Sequence, residues 1–88
     1  MGVRRFRKRP VEVEAIRYDG ENAGEILSWA TRFTLEDPVE QALSDNLIVH
    51  TLHGQTTAVP GDWILKGPQG DFWPCQPEIF EDSYEIVG

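Results

Sequence analysis

Val59-Pro60-Gly61-Asp62-Trp63-Ile64-Leu65-Lys66-Gly67, followed at once by Gly70-Asp71-Phe72-Trp73-Pro74-Cys75-Gln76-Pro77-Glu78-Ile79-Phe80, is the stretch that decides the fold. Pro60-Gly61-Asp62 has turn chemistry, because glycine enters positive φ without steric cost and the Asp side chain accepts backbone N–H groups. Trp63 to Lys66 reads as a strand and Gly67 to Gly70 as a hairpin loop. Asp71 to Pro74 reads as the returning strand. Pro77 suits the first position of a short helical turn over 77–81, where a missing N–H costs nothing.

Working back from this block, Leu47-Ile48-Val49-His50-Thr51-Leu52 is a β-branched strand. His53-Gly54 is its turn and Gln55 to Val59 its return. Four consecutive short strands therefore suggest a meander. Val11 to Tyr18 is a further strand, with Val11, Val13 and Ala15 alternating against Glu12 and Glu14. Ile16 breaks the alternation, which suggests a bulge, a twist or burial of both faces. Ile26, Leu27, Trp29 and Ala30 form one face of a short helix, with Asn22 as its N-cap. Arg32 to Leu35 reads as a strand, Val39 to Leu43 as a helical turn or second short strand, and Ser83 to Val87 as a final strand. The expected fold is α+β: a strongly bent antiparallel sheet or partial barrel of five to seven short strands, one packed α-helix and a C-terminal helical turn.

The chain has 88 residues and a formal net charge of −7. That length makes a single domain, 10–88, preceded by a basic, partly mobile arm over 1–9. Five of the eight basic residues lie in that arm, and all fifteen acidic residues follow Pro10. From Pro10 onward the balance is −12, against +5 before it. So acidic a body repels a phosphate backbone, so nucleic acid is not expected as the main partner. No apolar run approaches the length of a membrane span, so no membrane association is expected. A single cysteine makes no internal disulfide and points to a reducing compartment.

The residues that carry chemistry do not assemble into a known constellation. Cys75 is the only thiol, and a nucleophile needs a base such as His50 or His53 to make it a thiolate. Two histidines spaced by three with one cysteine fall short of a zinc set, so no metal or cofactor is expected. Asp62 and Asp71 flank the Trp63 hairpin as an acid/base pair or, more simply, as turn caps. Three tryptophans in so short a chain are a heavy aromatic load. Adjacent Phe72 and Trp73 must face opposite sides of their strand, so one aromatic points away from the main core, to be covered by the C-terminal turn or to anchor a partner.

Arg7-Lys8-Arg9-Pro10-Val11-Glu12-Val13-Glu14-Ala15, Pro60-Gly61-Asp62-Trp63-Ile64 and the Gly70 to Phe80 block with Tyr84 resemble a family of small proteins encoded by bacteriophages and prophages. The resemblance spans nearly the whole chain except Thr31 to Asn46. It implies a phage accessory protein working in the host bacterial cytoplasm, and it carries no catalytic residue. The expectation is a non-enzymatic protein that binds a host bacterial protein through exposed aromatics and an acidic surface, with a homodimer as a further partner state. Candidate binding residues are Trp63, Phe72, Trp73, Arg5, Arg7 and Arg9. The alternatives are a nucleotide-sequestering protein, with Trp63 or Trp73 stacking a base and the arginines holding phosphate, a minor virion protein, and a hydrolase using Cys75 or the aspartates.

Overall fold

The structure, a computed structural model, describes residues 2–5, 10–32 and 37–87. Its elements run β1 (Glu14–Arg17), α1 (Ala23–Thr31), β2 (Val39–Gln41), β3 (Leu47–Thr51), β4 (Gly54–Ala58), β5 (Trp63–Lys66), β6 (Phe72–Cys75) and α2 (Pro77–Ser83). The class is α+β. The strands form two three-stranded antiparallel sheets, β1-β5-β6 and β2-β3-β4, not closed into a barrel. This corrects the single bent sheet and its four-strand meander. Between β4 and β5, Pro60-Gly61 carries the chain out of one sheet and into the other. Among the described residues, no helix is long and apolar enough to cross a membrane.

Other expectations shift for local reasons. The β1 ladder is shorter than Val11 to Tyr18, because its only partner β5 offers four residues, pairing Glu14 with Lys66 through to Arg17 with Trp63. Ile16 lies opposite Ile64 and packs on the core, as does the wholly buried Tyr18. The even positions therefore face inward, and the apparent break in alternation at Ile16 is the true inward register. Val39–Gln41 is a strand, of the two readings offered. Residues 84–87 belong to no strand, because α2 runs to Ser83 and no neighbour pairs beyond it. Positions 33–35 of the strand read over Arg32 to Leu35 lie outside the described residues.

The core sits between the two sheets. Tyr18, Ile26, Ala30, Val39, Leu47, Val49, Ala58, Ile64 and Phe72 make one buried cluster, with Ile16, Leu27 and Trp29 packed against it. α1 presents Ala23, Ile26 and Ala30 to this cluster. Trp29 meets Phe72 edge-on, with centroids 5.5 Å apart and planes at 83°, the geometry that the ring quadrupoles favour. Asn22 precedes α1 but makes no side-chain cap bond. Its amide instead donates to the Arg17 carbonyl at 2.8 Å, and its Oδ1 accepts from the Asp19 N–H at 2.9 Å.

Tyr18 ties the sheets together. Its N–H donates to the Asp62 carbonyl at 2.8 Å, and its own carbonyl accepts from Gly61 N–H at 2.6 Å. Its hydroxyl donates to the Asp45 carbonyl in the β2–β3 turn. Gly61 holds φ at 104°, a conformation that a side chain resists. Asp62 Oδ2 accepts the Val59 N–H at 3.0 Å and closes the turn, as its sequence predicts.

Burial raises the Tyr18 phenol pKa above its ordinary 10.0, and the carboxylates of Asp45 and Asp19 add to the rise. Unfolded tyrosine ionises near that ordinary value, so this stabilisation is complete below it and lost as pH climbs through the folded value. Tyr18→Phe should therefore lower stability by about 1 kcal/mol at neutral pH and flatten the decline above pH 10. Urea unfolding as a function of pH measures both effects. Equal alkaline slopes in the two proteins would contradict this role for Tyr18.

Candidate functional site

The β5–β6 register sorts the aromatic candidates. Trp63 pairs with Cys75 and Leu65 with Trp73, so these four share the outer face of their sheet. Lys66 pairs with Phe72 on the inner face. Phe72 is 2 % exposed and belongs to the core. Trp73 is the member of the pair that faces the other way, and it is half-buried. Buried Gly67 lets the loop close over it: a Cβ there would stand 2.5 Å from Asp71 Oδ1 and 3.0 Å from the Trp73 ring.

Trp63 is covered by the C-terminal segment. Phe80 stacks on it at 4.2 Å with planes 11° apart, and Tyr84 stacks on Phe80 at 5.0 Å. Pro77 begins α2 as its sequence predicts, and spaces 80 and 84 one turn apart on the same side. The Trp63 indole N–H is buried with no acceptor among the described residues. The large apolar side chains left exposed on the described residues are aliphatic: Leu43, Leu52, Ile79, Ile86 and others, with no aromatic among them. Arg5 is exposed, and Arg7 and Arg9 lie outside the described residues.

Cys75 has no base. Its pKa is raised by burial and by the Asp62 carboxylate, both of which favour the neutral thiol. His50 belongs to the other sheet, where its Nε2 lies 2.5 Å from Glu40 Oε2. Asp62 and Asp71 stand at opposite ends of the β5–β6 hairpin, roughly 17 Å apart at the usual rise per strand residue. Among the described residues no group of three His, Cys, Asp or Glu side chains is placed to hold a metal ion.

A concavity lies elsewhere, where β2, the end of β3 and the β5–β6 hairpin come together. It is a cleft of about 510 Å³. β2 and the residues before it supply Asp37, Pro38 and Glu40. β3 and its turn supply His50, Thr51 and Leu52. The β5–β6 hairpin supplies Gly70, Asp71 and Phe72. Phe72 and Pro38 give it an apolar floor. Asp37, Glu40 and Asp71 give it an acidic rim, and among the described residues no Lys or Arg lines it. The Thr51 hydroxyl is committed to the turn, donating to the Gly54 carbonyl at 2.7 Å and accepting from His53 N–H at 3.1 Å. The Thr51 hydroxyl is therefore not free for the His50–Glu40 pair to activate.

Cys75 should be alkylated slowly at neutral pH, with a rate that keeps rising above the ordinary thiol value of 9.0. Iodoacetamide labelling of the folded protein across pH checks this. A plateau at or below neutrality would reveal a stabilised thiolate.

No protein-family model matches this sequence, and no curated protein or solved structure matches it.

Proposed function

We propose that this chain is a non-enzymatic, phage-encoded accessory protein that binds a basic segment of a host bacterial protein in the cleft between its two sheets. The observation that carries this reading is the cleft itself, three carboxylates around an apolar floor with no Lys or Arg among the described residues of the lining. A guanidinium or ammonium group would find charge partners at the rim, and its aliphatic stem would lie on Phe72 and Pro38. The net charge of −7 adds long-range attraction for a basic partner and speeds encounter. The neutral Cys75 thiol and the Thr51 hydroxyl committed to its turn favour binding over catalysis.

The partner contact thus moves from aromatics to carboxylates. Phe80 occupies one face of Trp63, and Phe72 is in the core, so Trp73 is the remaining aromatic of the original set with a part to play at the surface. Nucleotide sequestration gains no support from this arrangement, since Trp63 would have to release Phe80 before that face could stack a base.

The test is binding of a fluorescent arginine-rich peptide, measured by anisotropy at fixed salt. Neutralising the rim with Asp37→Asn, Glu40→Gln and Asp71→Asn should weaken binding by about tenfold or more, an effect of about 1.4 kcal/mol. Neutralising three exposed carboxylates on α2, with Glu78→Gln, Glu81→Gln and Asp82→Asn, removes the same charge and should change affinity far less. Equal losses in the two variants would reduce the effect to net charge and sink the cleft as the site.

A further inference from the structure

We propose that the free edge of β4 is a homodimerisation edge, pairing antiparallel with β4 of a second copy across a two-fold axis at Thr56. The ladder pattern fixes which groups are available. His50 N–H donates to the Pro38 carbonyl at 2.8 Å on the β2 side. Antiparallel alternation therefore turns Val49 and Thr51 toward β4, and their partners Thr56 and Gly54 toward β3. The N–H and C=O of Gln55 and Thr57 point away from the sheet, where β4 has no neighbouring strand among the described residues. The positions just beyond are closed: His53 N–H is held by Thr51 Oγ1 and Val59 N–H by Asp62 Oδ2. The open edge is thus two residues wide and centred on Thr56.

That edge lacks the usual protection. Natural edges carry a charge, a proline or a bulge that discourages pairing. Gly54–Ala58 has none of these, and its register with β3 runs one-to-one without a bulge. No Asp, Glu, Lys or Arg occurs from Asn46 to Gly61, the longest such stretch in the chain. Two copies of a chain with net charge −7 repel one another over most approaches. That penalty is smallest along this uncharged hairpin.

The ends of the edge select a second copy as the occupant. Leu52 is 74 % exposed and Val59 45 % exposed, one at each end of β4. A two-fold axis at Thr56 sets Gln55 against Thr57 of the second copy and exchanges four backbone hydrogen bonds. It also brings Leu52 of each copy to the Val59-Pro60 end of the other, so both apolar ends are covered by the same operation. The result is a continuous six-stranded sheet. The contact is small, which sets its dissociation constant in the micromolar-to-millimolar range.

Sedimentation equilibrium on the full chain, up to about 1 mM protein, reads this directly. The expected result is a closed monomer–dimer equilibrium that tightens with added salt, because salt screens the repulsion between acidic bodies. Peptide binding in the cleft should weaken with salt, so the two readings respond in opposite directions. Gln55→Lys with Thr57→Lys sets like charges across the two-fold and should raise the dissociation constant at least tenfold. Thr57→Pro removes an outward N–H, not a β3 ladder bond, and should do the same, with thermal unfolding of the dilute monomer confirming that each variant is folded. A monomer throughout the range, open-ended oligomers, or a dimer unaffected by both changes would overturn the proposal.

Discussion

Tyr18 is the interaction on which the two-sheet arrangement depends. Neither sheet alone encloses a core: each has three short strands, and each leaves one apolar face to cover. The chain crosses between the sheets at Pro60-Gly61, where an unanchored turn would swing freely. Two backbone hydrogen bonds to Tyr18 prevent this by fixing the turn to the end of β1. The Tyr18 side chain then passes through the core to reach the Asp45 carbonyl in the other sheet. One residue thus fixes the crossover and spans the interface it creates. The hydroxyl at its tip is expensive to bury unpaired, so its bond to Asp45 selects one packing of the two sheets.

The same crossover places the functional features. Because β5 and β6 join β1 and not β4, the end of their hairpin comes beside β2 and the β3–β4 turn. That meeting makes the acidic cleft. It also leaves β4 without a neighbour on its far side among the described residues, which makes the free edge. On the outer face of the β1-β5-β6 sheet, α2 lays Phe80 over Trp63 and Tyr84 stacks on Phe80, so the aromatic load of this small chain serves mostly to cover its own second face.

Local chemistry was legible in the sequence, and partnership was not. Pro60-Gly61-Asp62, the Trp63 and Phe72 strands, the Gly67 to Gly70 loop and the Pro77 helix start were readable because each depends on residues a few positions apart. Strand alternation reports faces but does not name neighbours, so the four strands looked like one meander. At β1 even the faces were misread: Val11, Val13 and Ala15 set the visible pattern, whereas Ile16 and Tyr18 offer more apolar area and take the core. The residue pair Phe72 and Trp73 was split between faces as read, with the side each took decided by Trp29 packing on Phe72. The cleft was invisible because Asp37, Glu40 and Asp71 come from separate segments and meet only through the crossover. The neutral stretch from Asn46 to Gly61 was present in the sequence, but its meaning required knowing that β4 is an edge.

Native-state hydrogen exchange at the Tyr18 and Gly61 amides tests the role of the clasp most directly. These two amides bond Tyr18 to the crossover turn, so they report whether the turn releases the end of β1 before either sheet unfolds. Both should exchange only through global unfolding, with the same opening free energy as the most protected ladder amides of β3 and β5. Exchange much faster than those amides, with both ladders still protected, would show that the crossover opens independently and that Tyr18 does not fix it.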